Sequence, residues 1–516
     1  MIGKRIQFAG GALLLLTLGA VLAAPQQGAR HPEYREIIAA QGIADLAARL
    51  KEFERIKAAY PESTMMTMID NAIHNLKIGL CSSLDEVLAV QKATVGEGRG
   101  FARVASWFTA IMEIIYHPSL ASFDKAAVVK AVLAYQAEVG KLVENKAFTD
   151  SLPAEERPVL DDYVNNLRIA AALAHLNAGD PVKAASALNA YMAAGGVPNA
   201  MYMYASAEAA VQSGNSVAAL ADYMASAVEN YPNAVAKARD MWTNVKGSAD
   251  GFDAALENEQ KKMPFRPSAF TAPAKWQGKA VLAELFTNSE SPTCVGADFG
   301  FIGLMESVPI RYIAVLEYHL PFPRPDPMIN PATRARREYY GVTSTPATFF
   351  DGAAAAGGGS GRARAADKYK QYLAEIEARL KEVPPTLLEA KAVRDGDKVT
   401  VDVALENSMP AAEIFVALVE SEVNFKGSNG VIVSEMVVRD LQTITGDAPQ
   451  AVFDLAASEK TADEYLTAIE SAFDKGANFR FVERRSLIGR EGLRAVIFLQ
   501  DKQTKKVYNA FSTDVK

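Results

Sequence analysis

The spacing of apolar side chains changes twice along the chain. Over residues 30–260 apolar positions recur every three to four residues, as in Ile43-Ala44-Asp45-Leu46-Ala47-Ala48-Arg49-Leu50, which is the period of a helix with one buried face. Leu167–Met192 and Met201–Tyr231 predict two helical hairpins. Each breaks at its middle in a turn, Asn177-Ala178-Gly179-Asp180 and Gln212-Ser213-Gly214-Asn215. The two glycines are 35 residues apart, small pairs Ala184-Ala185 and Ala218-Ala219 follow them, and Tyr231-Pro232 ends the second hairpin.

Pro264, Pro267 and Pro273 mark a linker, and from Trp276 strands and helices alternate. Val281–Phe286 and Arg311–Leu316 are short apolar runs of the buried-strand kind, with a helix expected between them over Phe299–Glu306. Ala353–Gly361 is rich in glycine and other small residues, Asp367–Leu380 has helical amphipathicity, and Pro384-Pro385 breaks the chain. From Leu387 onward the period is two. Val399, Val401, Val403 and Leu405 share one face behind the turn Asp395-Gly396-Asp397, which predicts a hairpin over 387–405. Ile414–Val419, Val431–Val438, Phe479–Val482, Leu493–Leu499 and Lys506–Phe511 are further strand candidates, interrupted by a helix over Ala462–Asp474. Short strands with turn signals between them suggest a β-sandwich.

Composition narrows the class. With 516 residues, 49% hydrophobic and 22% charged, the chain has the balance of a multi-domain globular protein. Residues 1–24 read as a signal peptide, with Lys4 and Arg5 before the apolar run Phe8–Leu22 and Val21-Leu22-Ala23 fitting a small-residue cleavage rule, with cutting expected after Ala23. Losing those two cations would take the net charge from −7 to −9, which disfavours nucleic acid and anionic membranes as partners. No later segment is apolar enough to span a membrane, so a periplasmic or secreted location is expected. Two cysteines, Cys81 and Cys294, are too few for a disulfide scaffold or a Cys-rich zinc site. With five scattered histidines and no H-E-x-x-H, no metal site and no cofactor are expected.

The chemistry concentrates in residues 284–298, E-L-F-T-N-S-E-S-P-T-C-V-G-A-D, where an apolar strand runs into a polar turn and then a helix. This resembles the active-site corner of the thioredoxin superfamily, and most closely exported bacterial thioredoxin-like proteins that carry E-L-F-T-S-x-x-C-x-x-C-x-x-A-D here. Glu284, Leu285, Phe286, Thr287, Ala297 and Asp298 fall in register, with Ser291 and Cys294 at the two cysteine positions. A second signal lies downstream, where Val342-Thr343-Ser344-Thr345-Pro346-Ala347 is similar to the family's V-x-x-T-P-T entry. The resemblance implies that Pro346 is a cis-proline facing Cys294, and that Thr345 pairs with an extended polypeptide. It covers about 275–383. The helical hairpins are similar in spacing to tetratricopeptide repeats, and equally to hairpins of an ordinary bundle. The expected organisation is therefore an α-helical region over 25–262, a central α/β thioredoxin-like domain over 275–383 and a β-sandwich-like domain over 386–516.

Ser291 withholds the family's reaction, because one sulfur cannot close a disulfide. A serine hydroxyl gains nothing from a helix N-terminus, so Ser291 is expected to cap the helix. Cys294 is read as a buried apolar thiol, as a disulfide partner of Cys81, or as a lone redox thiol with an arginine such as Arg311, Arg324 or Arg334 nearby. His319 opens the stiff run Tyr318–Pro327 and is a candidate ligand-facing residue at the end of its strand. Two functions follow. One is a non-redox module binding envelope or secreted polypeptides through Ser291, Thr345, Pro346 and His319, or scaffolding them. The other is a single-thiol enzyme, a peroxidase or thiol–disulfide exchanger, with Cys294 as its catalytic residue.

Overall fold

The computed structural model describes residues 32–516 except 64, 99, 154–156, 323, 356–357, 410, 445–448 and 474–478. The expected leader over 1–24 lies outside the described residues. The described chain divides into two compact units, one ending at Glu259 and the other running from Gln260 to Lys516.

In the first unit the hairpins are α1 (Arg157–Asn177) with α2 (Pro181–Ala193) and α3 (Ala200–Gln212) with α4 (Ser216–Val228). Their turns have the same construction. Gly179 and Gly214 sit at φ +75° and +76°, where an L side chain is disfavoured, although a Cβ at either would meet nothing within 4 Å. The next residues, Asp180 and Asn215, accept from the N–H of Lys183 and Ala218 at 3.0 and 3.1 Å. Ala184, Leu188 and Tyr191 of α2 and Ala219, Tyr223 and Ala227 of α4 are buried, giving each hairpin one apolar face.

The second unit holds an eight-stranded sheet in the order β11-β10-β7-β8-β2-β1-β3-β4. Its first part is β1 (Val281–Thr287), α5 (Val295–Ser307), β2 (Ile313–His319), α6 (Pro331–Tyr340), β3 (Ala347–Phe350), β4 (Ala353–Ala354) and α7 (Ala365–Arg379). The remainder is β5 (Leu388–Asp395), β6 (Lys398–Leu405), β7 (Ala412–Asn424), β8 (Val433–Ile444), β9 (Gln450–Asp454), α8 (Leu455–Phe473), β10 (Leu493–Asp501) and β11 (Val507–Asp514). β1 and β2 run parallel with Val281 opposite Ile313, and β3 returns antiparallel with Phe286 opposite Ala347.

The sheet does not stop where a separate β domain is expected to begin. β8 pairs with β2 in parallel at Val437 and Glu317, so β7, β8, β10 and β11 prolong the central sheet. Among the described residues only β5, β6 and β9 form a second sheet. The cause lies in β7 and β10, which are apolar on both faces. Phe415, Ala417, Val419, Val496 and Phe498 join the core formed by β1, β2, α5 and α7. Their alternates Ile414, Val416, Leu418, Ala495, Ile497 and Leu499 face Val399, Val401 and Phe453 of the small sheet. Strands apolar on both sides need cover on both sides. Residues 479–482, a strand candidate, are irregular, and Val482 stands in solvent.

A buried ion pair ties the two halves of this sheet. Arg336 of α6 donates to both carboxylate oxygens of Glu284 on β1, at 2.7 and 3.0 Å, and to the Gln500 side-chain carbonyl on β10 at 2.8 Å. Tyr340 and Tyr318 hydroxyls also donate to Glu284, at 2.6 and 3.2 Å. The guanidinium lies over the rings of Tyr340, Phe498 and Phe415. Both charges are buried, so only this dense hydrogen bonding makes them tolerable.

Candidate functional site

β1 ends in a turn because Asn288 diverts the chain. Its amide donates to the carbonyls of Leu320 and Arg324, and its own carbonyl accepts from Ser291 N–H at 3.1 Å. The chain then winds through Ser291–Cys294, where Cys294 N–H donates to Ser291 C=O at 3.1 Å, before α5 begins. Across from it, the Thr345–Pro346 bond is cis and leads into β3. Thr345 Oγ1 donates to the Phe322 carbonyl at 3.0 Å.

Ser291, Cys294, Thr345 and Pro346 therefore meet at one corner. The Cys294 sulfur is fully buried, with the hydroxyls of Ser291, Thr345 and Thr287 beside it. Burial pushes its thiol up to about 12, Asp298 adds to the rise, and the three hydroxyls oppose it without cancelling it. Both Cys294 and Cys81 are free, so the disulfide between them is not formed.

Ser291 does not cap the helix. Its hydroxyl lies 3.0 Å from Thr293 Oγ1, and the N-cap position belongs to Cys294, which makes no side-chain capping bond. The helix donor that needs a partner is Gly296 N–H, and it is satisfied from far along the chain, by the Ser360 carbonyl at 2.8 Å. Ser360 N–H in turn donates to the Thr293 carbonyl at 2.7 Å. Residues 358–361 of the glycine-rich stretch thus cross the corner. A Cβ at Gly359 would lie 2.6 Å from Thr293 and 2.9 Å from Pro346 Cδ, so a side chain does not fit there.

His319 is at the end of β2, opposite Thr287 across the parallel pair, but it faces inward rather than toward a ligand. Its Nδ1 is 3.0 Å from Asp326 Oδ2 and its Nε2 is 2.8 Å from Glu317 Oε1, with the ring buried. Burial works against the imidazolium, yet Asp326 and Glu317 outweigh it and raise His319 to about 10. Burial likewise works against ionised Asp326, but His319 and the N–H groups of Ser289 and Met328 hold that carboxyl below its usual range. Asp298 goes the other way: burial and then the Glu317 charge raise it well above an ordinary carboxyl, with Thr287 Oγ1 donating to it at 2.6 Å. A cavity of about 10 Å³, the size of one water molecule, lies among Thr287, Ser289, Asp298, Glu317, His319 and Asn429.

Within the stiff run Tyr318–Pro327, Phe322, Pro325 and Asp326 are buried and Arg324 is exposed. Its place beside the corner is shared by the segment before β8. There the Asn429 amide donates to the carbonyls of Asn288 and Ser291, both at 3.3 Å. Sequence patterning passes over Asp326, Glu317 and Asn429. Asp326 had one signal, as the lone acid in a proline run with a histidine seven residues before it. Among the described residues no group of three or more His, Cys, Asp or Glu is arranged to hold a metal ion, and no helix is long and apolar enough to cross a membrane.

No protein-family model and no curated protein matches the chain. A solved structure of a structural-genomics target from Agrobacterium tumefaciens is similar over 45% of this chain and 92% of its own, at 14% identity and a TM-score of 0.28.

Proposed function

We propose that the chain is an exported polypeptide-binding or scaffolding protein whose thioredoxin-like corner carries no dithiol chemistry. One observation carries this. Cys294 is free, has Ser291 where a second thiol would stand, and is buried with its pKa pushed up to about 12. At neutral pH such a thiol keeps its proton, and the thiolate is the form that attacks peroxides and disulfides. The same observation weighs against the single-thiol enzyme. That reaction needs a neighbouring cation to lower the pKa, and the ionisable neighbour acting on Cys294 is the carboxyl of Asp298, which raises it.

What remains at the corner suits recognition. In this reading Thr345 and Pro346, half-buried at the entry to β3, pair β-fashion with an extended chain, with Ser291 across from them. His319 serves from beneath: it holds Asp326, which fixes Ser289 N–H at 2.7 Å. The partners in this proposal are envelope or secreted polypeptide segments, met in the periplasm or outside the cell. Neither a cofactor nor nucleic acid enters it.

Two assays test it. Wild-type protein does not accelerate the reduction of insulin by dithiothreitol, whereas titration with an unfolded, carboxymethylated polypeptide gives saturable binding that Thr345→Pro removes by deleting the pairing N–H. Insulin reduction accelerated above the dithiothreitol background, and lost in Cys294→Ser, overturns the non-redox half. Unchanged binding in a folded Thr345→Pro variant moves the polypeptide site off this corner.

A further inference from the structure

The glycine-rich stretch lies where a partner polypeptide would. Ser360 donates its N–H to Thr293 C=O and accepts from Gly296 N–H, at 2.7 and 2.8 Å, so both of its backbone groups are spent on the turn and the first helical turn of the corner. Gly359 passes between Thr293 and Pro346 with clearance for a hydrogen only. At Gly296 the same closeness appears from the other side, since a Cβ there would lie 2.1 Å from Ser360 Oγ and 2.9 Å from its carbonyl oxygen. These contacts are made by backbone. Gly358 and Gly359 are exposed, and the Ser360 hydroxyl is buried without a hydrogen-bond partner. The stretch is thus held without side-chain anchors, and glycine gives up more conformational freedom than any other residue when fixed in place.

From this geometry we infer that residues 358–361 are a resident, displaceable strap over the corner, and that a partner enters as an extended glycine- or serine-rich segment that takes over the strap's two backbone hydrogen bonds. The inference rests on the polypeptide-binding proposal above and adds the class of sequence bound and the step that admits it. The partner must offer one carbonyl to Gly296 N–H and one N–H to Thr293 C=O. It must have no side chain at the residue passing Pro346, because the gap excludes a Cβ. The strap meets both conditions, which makes its own sequence the natural probe.

The test reads strap and partner separately. Gly359→Val places a side chain where none fits and lifts the strap. Ser360→Pro removes the N–H given to Thr293 and adds no bulk at residue 359. Gly358→Ala is the control, since a Cβ there meets nothing within 4 Å. Alkylation by N-ethylmaleimide, mapped by mass spectrometry on the full chain, is expected to be about tenfold faster at Cys294 in the two strap variants, because local opening governs access to a buried group. Cys81 and the Gly358→Ala variant should keep the wild-type rate. A synthetic peptide copying residues 355–362 should bind Gly359→Val about tenfold more tightly than wild type, and not bind when valine replaces the glycine matching Gly359. Wild-type alkylation rates in both strap variants, folded by circular dichroism, overturn the strap. Faster alkylation with no peptide bound shows that the strap covers the corner but that the corner is not a polypeptide site, which overturns the partner.

Discussion

The helical hairpins and the Ser291–Cys294 corner both start helices at a turn, and they solve that problem in opposite ways. In the hairpins the capping group sits three residues from the donor it satisfies: Asp180 serves Lys183 and Asn215 serves Ala218. At the corner the Gly296 donor is satisfied by a carbonyl 64 residues away, at Ser360. Glycine differs in the same way. Gly179 and Gly214 are needed for their φ and have open space around them, whereas Gly296 and Gly359 are needed because another segment passes too close for a Cβ. Local solutions make a unit that tolerates change one turn at a time. Long-range solutions make a site whose parts fail together.

The sharpest way to break the comparison is to cut a long-range tie. Arg336→Leu leaves Glu284 buried without its cation, and the expected loss is about 3–5 kcal/mol in a chemical denaturation curve. A loss below about 1 kcal/mol would put the pair in the class of replaceable surface bridges. The second test uses pH. Folding raises His319 from 6.5 to about 10, so the stability it supplies is fully present below pH 6.5 and is lost as pH rises through about 10. Urea midpoints of wild type should fall over that window, and those of His319→Gln should fall less. Equal pH profiles would mean that the imidazolium is not the group responsible.

Smaller effects probe the local side. Asp180→Ala and Asn215→Ala should each cost about 1 kcal/mol, and by similar amounts, because the two caps have the same geometry. Unequal costs would show that the hairpins are not equivalent units. Smallest of all, Ser291→Ala should cost under about 1 kcal/mol, since its hydroxyl caps no helix and lies against Thr293 Oγ1 and the Cys294 sulfur. A larger loss would restore Ser291 to a capping role.

The same contrast decides what patterning along the chain can reveal. Helix ends in the hairpins are legible because glycine, cap and apolar face lie within one turn of each other. β1, β2, α5 and α7 are legible from period and length, and Cys294, Thr345 and Pro346 from motif spacing. The continuity of the sheet is not, because an apolar strand such as β7 looks alike whether its second face meets a helix or another sheet. The strap is visible as a glycine-rich run, yet nothing local says that it crosses residues 293–296. Asp326 and Asn429 belong to the corner only through folds of the chain that no window of sequence contains.

The join between β2 and β8 bears on how the protein can be made. A ribosome delivers β2 more than a hundred residues before β8, and Arg336 before Gln500 by 164. Until the later strands arrive, one side of β2 is an unpaired strand edge, and an apolar core stands open behind it. A fragment ending near the proline pair at 384–385 would keep that exposed edge permanently, and β-edge aggregation is its expected fate. The region from Gln260 to Lys516 is therefore a single unit of synthesis, and holding its first half unassembled until the last strands emerge is a natural task for a chaperone.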